Sequence, residues 1–101
     1  MKIFLLISIA YSEEKNRILT KSVRGLFSSL DLAVDSLTEY PDSITEGNYF
    51  NYVLIEEREG NVLDAHSIDE HWFRFLPLPG DMIMVERIAC PEPFTSYSNF
   101  V

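Results

Sequence analysis

The stretch that decides the fold is VRGLFSSLDLAVDSLTEYP, residues 23–41, in which a strand pattern gives way to a helix pattern. Four apolar residues recur at the i, i+3, i+4, i+7 spacing of one buried helical stripe: Leu30, Ala33, Val34 and Leu37. Three acids recur at i, i+4, i+8 and so share another face of the same helix: Asp31, Asp35 and Glu39. The stretch therefore predicts a helix from about Leu30 to Glu39 with an apolar face and an acidic face.

Local patterns set the two ends of this predicted helix. Ser28 is predicted to be the N-cap, because its hydroxyl can accept a hydrogen bond from an unsatisfied amide of the first turn. Phe27 and Leu32 then occupy the two positions of a hydrophobic staple. Pro41 disfavours a helical conformation for the residue before it. We therefore expect the helix to end just before Pro41 and a loop to follow as far as Asn48.

Five segments have strand character. Residues 2–11 form an apolar run that is far shorter than the ~20 residues of a membrane-spanning helix, and we expect a buried strand there rather than a signal segment. A polar connection leads to a second strand at 17–27, which completes a hairpin. Residues 49–57, 62–65 and 82–89 are rich in aromatic, β-branched or other apolar side chains and predict the remaining strands.

These elements predict one α+β domain over residues 1–101, with a four- or five-stranded antiparallel or mixed sheet and the amphipathic helix packed on one face. Residues 67–70 read Ser-Ile-Asp-Glu, the pattern of a capping box, and predict a minor helical turn that continues to Phe73. The predicted core consists of Phe4, Leu6, Val23, Phe27, Leu30, Ala33, Val34, Leu37, Val53, Ile55, Trp72, Ile83 and Val85.

The first half of the chain has a resemblance to known proteins. A hairpin, the sequence GLFSS at residues 25–29, a helix carrying Ala33 and Leu37, and the strand sequence YVLIEE at 52–57 together resemble small uncharacterised bacterial and phage proteins that are grouped as domains of unknown function. The resemblance covers about residues 2–57. Those families have no assigned activity, so the resemblance implies no functional residue.

Composition and charge indicate which kinds of partner the protein is expected to bind. The 101 residues include 16 acids against 8 Lys or Arg, a net charge of −8. Residues 1–27 are net +3 and residues 28–101 are net −11. Such an acidic surface repels nucleic acid and anionic lipid, so neither nucleic acid nor a membrane is an expected partner. Cys90 is the single cysteine, which excludes an internal disulfide and favours a reducing compartment, the cytoplasm.

The sequence contains no pattern that indicates a catalytic or metal site. His66 and His71 are five residues apart, a spacing that does not suit two ligands on one helical face. Cys90 has no base beside it in sequence and is expected to pack at the end of a strand. No cofactor is expected. One alternative stays open, an enzyme with an unrecognised carboxylate site, and its candidate acids are Glu56, Glu57, Asp64 and Glu86.

Two features indicate a protein partner. One is the acidic helix face of Asp31, Asp35 and Glu39. The other is the C-terminal segment 93–101, which could dock on the sheet of its own domain or on that of a second copy and whose apolar residues are Phe94, Tyr97, Phe100 and Val101.

The function that fits these features is a small, non-catalytic protein-interaction module whose partner the sequence does not name. An acidic inhibitor or immunity-type protein, which mimics nucleic acid toward a basic partner surface, stays open as an alternative. The opposite charges of the two parts of the chain, together with the edges of a small sheet and an apolar C-terminal segment, also predict a homodimer.

Overall fold

The computed structural model describes residues 2–46, 49–59, 66–80 and 82–91. Its strands are β1 (Lys2–Ser12), β2 (Arg17–Phe27), β3 (Tyr52–Glu59), β4 (His66–Leu78) and β5 (Met82–Ile88). Its helices are α1 (Leu30–Glu39) and α2 (Pro41–Thr45). The strands form one sheet in the order β2-β1-β3-β4-β5, and every pair of neighbours is antiparallel. The predicted α+β class is confirmed, with a five-stranded antiparallel sheet.

Strand β1 is the apolar run at the start of the chain, and it contributes to both faces of the sheet. It pairs with β2 on one side and β3 on the other, and all its residues from Phe4 to Ala10 are buried. Because successive side chains of a strand point to opposite faces, Phe4 and Leu6 enter one apolar cluster, while Leu5 and Ile7 enter another. The sheet therefore has two cores.

The helix-side core lies between the sheet and the two helices. Its buried members are Phe4, Leu6, Ala33, Leu37, Ile44, Val53, Ile55, Phe73 and Phe75. Partly buried residues pack around it, namely Phe27, Leu30, Val34, Ile83 and Val85. Six residues of the predicted core are confirmed as buried here: Phe4, Leu6, Ala33, Leu37, Val53 and Ile55. The five partly buried residues were also predicted to be in the core.

The opposite-side core lies on the other face of the same sheet. Its buried members are Leu5, Ile7, Ile9, Leu54 and Trp72. Three of them, Ile7, Leu54 and Trp72, lie directly beside one another on β1, β3 and β4. Trp72 was predicted to be a core residue, and this is confirmed. The existence of a second core follows from apolar side chains at consecutive positions along β1 and β3.

The N-cap of α1 is Ser29, not Ser28 as the sequence predicted. The Oγ of Ser29 accepts a hydrogen bond from the backbone N–H of Leu32 at 3.2 Å, and its backbone is extended. The predicted staple is also wrong, because the Leu32 side chain is 53% exposed. At the other end the Tyr40 N–H donates to the Ser36 carbonyl at 2.9 Å. The predicted extent of the helix is confirmed.

Two predictions of local structure are wrong. The chain after Pro41 forms the short helix α2 rather than a loop, because proline fits the first helical position, where its missing N–H is not needed. The predicted helical turn at 67–73 belongs to strand β4. Pairing with β3 and β5 outweighs the local capping pattern there, since Trp72 lies opposite Leu54 on one side and Ile88 on the other.

The remaining predictions concern particular segments. The third strand begins at Tyr52 rather than at Tyr49. The predicted strand at 62–65 and the C-terminal segment lie outside the described residues. Neither helix in the described ranges has the length and apolar character needed to cross a membrane.

The burial of α1 gives a test of the helix-side core. Leu37→Ala should lower the free energy of unfolding by about 3 kcal/mol, because it removes buried methyl groups and leaves a cavity between α1 and the sheet. Leu32→Ala makes the same change on the exposed side of the helix and should cost under about 0.5 kcal/mol. Urea unfolding of both variants measures the difference. Equal losses would contradict the assigned burial.

Candidate functional site

The acidic face of α1 consists of Asp31, Asp35 and Glu39, all exposed. Within the described ranges none of these carboxylates forms an ion pair. Leu32 lies on the same exposed side of the helix. The opposite side of α1 is buried through Ala33, Ser36 and Leu37. The structure thus brings the three predicted acids together on one side of an anchored helix.

This arrangement of charge does not favour the helix itself. Like charges at i, i+4 repel, and each such pair costs a few tenths of a kcal/mol. Asp31 lies in the first turn, where a negative charge is favourable, but Glu39 lies in the last turn, where it opposes the helix dipole. That last turn has no basic residue. Helix stability therefore does not account for the acid at position 39.

A second feature is the cleft between β2 and the helices. The register of β1 against β2 shifts between Leu6 and Ile7, which pair with Gly25 and Val23, so Arg24 is the extra residue of a β-bulge. Its guanidinium lies over the Phe50 ring, 4.8 Å from the centroid. The cleft has a volume of about 290 Å³ and is lined by Leu6, Arg24, Phe27, Ser36, Tyr40, Ser43 and Ile44.

The bulge changes the surroundings of the residues beside it. Val23 was predicted to be in the core but is 53% exposed on the outer strand. Arg24 is one of the basic residues that make residues 1–27 net positive, and its Nη2 pairs with Glu46 Oε1 at 2.7 Å. Next to it, a Cβ at Gly25 would lie 3.0 Å from the Phe27 ring, so a larger residue there would require that ring to shift. Arg24 therefore lines the cleft with a positive charge that the carboxylate of Glu46 balances.

A third feature is a cluster of charged side chains at the edge of the helix-side face. One ligand-type atom from each of Glu57, Asp69 and His71 lies within 4.8 Å of the others. His71 Nε2 is 3.6 Å from Asp69 Oδ2, and Lys2 Nζ is 3.4 Å from Glu57 Oε2. The sequence did not predict this cluster, because residues 67–73 have the local pattern of a helical turn. On a strand, residues 69 and 71 share a face.

The donors in this cluster do not suit a metal ion. Arg87 Nη2 is 2.7 Å from His71 Nδ1, and a guanidinium can only donate a hydrogen bond. Nδ1 must therefore accept, which leaves the proton of the neutral ring on Nε2. The imidazole thus presents an N–H, not a lone pair, to the carboxylates of Glu57 and Asp69. The cluster therefore combines the Lys2–Glu57 ion pair of β1 and β3 with the His71–Arg87 hydrogen bond of β4 and β5, and the buried Nε2 of His71 has no hydrogen-bond partner among the described residues.

Glu56, Glu57 and Glu86, the three acids proposed for an enzyme site that the structure describes, do not converge. Glu56 and Glu57 are neighbours on β3 and point to opposite faces. Glu86 pairs with Arg74 across β4 and β5, with Oε2 and Nη2 2.8 Å apart. Asp64 lies outside the described residues. These acids therefore do not form a shared pair in the part of the molecule that the structure describes.

Glu56 is the one acid of this set that is fully buried, at 0% exposure. Its Oε1 accepts a hydrogen bond from Arg58 Nε. Its Oε2 is buried and has no hydrogen-bond partner. On the next strand, Trp72 Nε1 donates to Glu70 Oε1 at 3.3 Å. A buried carboxylate therefore lies at the border of the opposite-side core, balanced by the Arg58 guanidinium.

Cys90 is exposed just beyond the end of β5, so the prediction that it packs there is wrong. Desolvation raises the pKa of its thiol, and the nearby negative charge of Glu70 raises it further. A raised thiol pKa means little thiolate at neutral pH, and the thiolate is the nucleophilic form.

The other three predicted partner residues belong to the C-terminal segment. Phe94, Tyr97 and Phe100 lie outside the described residues. Comparison of the chain with protein-family models, with curated proteins and with solved structures found no significant match. The resemblance of residues 2–57 to domains of unknown function therefore stays a prediction.

The Glu56–Arg58 pair gives a stability test. Arg58→Met should lower the free energy of unfolding by about 3 kcal/mol or more, because it leaves a buried carboxylate without its counter-charge. Adding Glu56→Gln to that variant removes the charge and should recover much of the loss. Chemical denaturation of the two variants measures both steps. A double variant no more stable than Arg58→Met would show that the ion pair is not what Arg58 contributes.

The raised thiol pKa gives a reactivity test. Because the folded pKa lies above that of an unstructured cysteine, alkylation of Cys90 by iodoacetamide near neutral pH should be slower than that of a cysteine in a short peptide, and should accelerate as the pH rises. Glu70→Gln should lower the pKa and speed the reaction, whereas Glu59→Gln should not. Identical rates for all three proteins would exclude an effect of Glu70 on the thiol.

Proposed function

We propose that this protein is a small, non-catalytic protein-interaction module that binds a basic surface of a partner protein through the acidic face of α1. One observation carries the proposal. Three exposed carboxylates and the exposed Leu32 beside them share one side of a helix whose other side is buried. In this proposal α1 is an amphipathic element, with its apolar stripe for the fold and its acidic face for the partner.

The chemistry of this face defines the partner that would fit it. Successive acids are separated by four residues, or ~6 Å along the helix axis. A complementary surface would present Lys or Arg side chains at a similar spacing, with an apolar group to cover Leu32. Burial of that leucine would add the hydrophobic contribution, while the charges would set orientation and association rate.

The alternative of an acidic inhibitor or immunity-type protein uses the same face. It is favoured by the net charge of −11 over residues 28–101, since so strong a field steers a basic nucleic-acid-binding surface toward the chain. The two alternatives differ in the partner alone. A partner that exchanges this protein for nucleic acid would support the inhibitor, and one that does not bind nucleic acid would support the general interaction module.

Charge reversal tests the proposal. The immobilised protein is used to capture proteins from lysate of its own host, and the bound proteins are quantified by mass spectrometry. The variant Asp31→Lys/Asp35→Lys/Glu39→Lys should lose the basic proteins that the unchanged chain enriches, because it reverses the complementary field. Capture should also weaken as ionic strength rises, because salt screens exposed charges over about 8 Å at physiological concentration.

A matched control separates the face from net charge. Glu13→Lys/Glu14→Lys/Glu59→Lys makes the same change in total charge at exposed acids away from α1, and should retain the captured proteins. Loss in both triple variants would mean that net charge alone drives capture. Retention in both would remove the acidic face of α1 from the function.

A further inference from the structure

The cleft between β2 and the helices has an apolar floor and a rim that reaches solvent. Leu6 and Ile44 line it and are buried, and the partly buried ring of Phe27 adds an apolar wall. Tyr40 and Ser43 also line the cleft, but both are exposed, which places them at the rim. A concave site that is apolar at depth and polar at its edge is the form that small-molecule sites usually have.

The guanidinium of Arg24 gives this apolar cleft a charged wall. Two contacts hold it there: the Phe50 ring, 4.8 Å from the guanidinium carbon, and Glu46 Oε1, 2.7 Å from Nη2. Its Nε is buried and has no hydrogen-bond partner within the described ranges. A guanidinium carries five N–H donors and no acceptor, and a buried donor without an acceptor is unfavourable. The described residues therefore leave part of the donor capacity of Arg24 unused.

Charge limits the ligand that would use this capacity. Glu46 already faces the guanidinium, and the chain carries a net charge of −8, so a ligand with two negative charges, such as a phosphate monoester, would be repelled. A carboxylate carries one charge, and its two oxygens match the planar geometry of a guanidinium. The Ser36 hydroxyl already donates to the Ala33 carbonyl at 2.6 Å. Arg24 is therefore the main donor to an anion in the cleft.

The volume of the cleft sets the size of the ligand. A water molecule occupies ~30 Å³ in the liquid, so a cleft of about 290 Å³ accommodates a ligand of about ten non-hydrogen atoms. We propose that the cleft binds a small carboxylic acid as its anion. The carboxylate contacts the Arg24 guanidinium, and the rest of the molecule is an apolar body that packs against Leu6, Phe27 and Ile44.

This site is separate from the acidic face of α1. The residues that line the cleft do not include Asp31, Asp35 or Glu39, all of which are described and exposed. A partner protein on the acidic face therefore leaves the ligand site open. A failure of either proposal leaves the other unchanged, because different residues carry them.

Octanoate and octanamide are matched probes for the unmodified protein. They have the same chain and the same number of non-hydrogen atoms, but only octanoate is charged at neutral pH. Isothermal titration calorimetry should show octanoate binding at least about tenfold more tightly, because only a carboxylate forms a charge-assisted hydrogen bond with Arg24. Equal affinity for the two probes, or no octanoate binding at millimolar concentration, would overturn the proposal.

Methyl NMR locates the bound probe. With isoleucine methyl groups labelled, octanoate should shift the signal of Ile44, in the floor of the cleft. The signals of Ile7 and Ile9 should stay unchanged, because these residues belong to the opposite-side core. Shifts at Ile7 and Ile9 without one at Ile44 would place the probe on the wrong side of the sheet and exclude the cleft as its site.

Two substitutions test the charge in the wall. Arg24→Met should weaken octanoate binding about tenfold or more and leave octanamide binding unchanged, because it removes the charge and keeps an apolar side chain. Glu46→Gln should strengthen octanoate binding severalfold, because it removes the carboxylate that competes for the guanidinium. Glu46 is exposed, so this second variant decides the question if Arg24→Met does not fold. Unchanged octanoate affinity in Glu46→Gln would contradict the assigned role of Arg24.

A further pair of variants tests the cleft itself. Ser43→Trp places a large ring at the rim and should weaken the binding of both probes about tenfold. Thr38→Trp makes a comparable change at an exposed position of α1 that does not line the cleft, and should leave binding unchanged. Far-UV circular dichroism checks that both variants fold. Equal binding by Ser43→Trp and the unmodified protein would exclude this cleft as the ligand site.

Discussion

The pairing of β1 with β2 on one side and β3 on the other is the constraint on which the rest of the structure depends. With both edges paired, β1 buries seven consecutive residues, and alternation along the strand divides them between two faces. One face receives the helices. The other holds Ile7, Leu54 and Trp72 in a row from β1 to β4. The two cores, the place of α1 and the exposure of its acidic side all follow from this arrangement.

The sequence alone predicted the structure correctly where the local periodicity of a segment agrees with its packing in the fold. The stripe that includes Ala33 and Leu37 is buried, and α1 has the predicted limits. Prediction failed where the two disagree. Residues 67–73 have a local helix-start pattern, yet they pair with strands on both sides, and no local pattern records a partner distant along the chain. Val23 failed for a related reason, because a bulge at Arg24 changes the alternation of an outer strand.

The candidate site shows the same division. The acids of α1 were recognised from spacing within one helix, which needs no knowledge of the rest of the fold. The cluster of Glu57, Asp69 and His71 depends on the register of β3 against β4, and could be recognised only after residues 67–73 were known to be a strand. Its hydrogen bond to Arg87 depends on a further register, that of β5. A cluster whose side chains come from several strands depends on every register between those strands, and a pattern within one segment of the sequence does not contain these registers.

The irregular β2 has a consequence for the behaviour of the protein at high concentration. β2 is the outermost strand of the sheet, and its register with β1 shifts twice, once near Arg24 and once near Leu19. A regular outer strand exposes an even row of amides and carbonyls on which further strands can be added without end. Two interruptions, together with the charge of Lys21 between them, break that row into short pieces. The same distortion that turns Arg24 inward therefore also makes β2 a poor template for the addition of further strands.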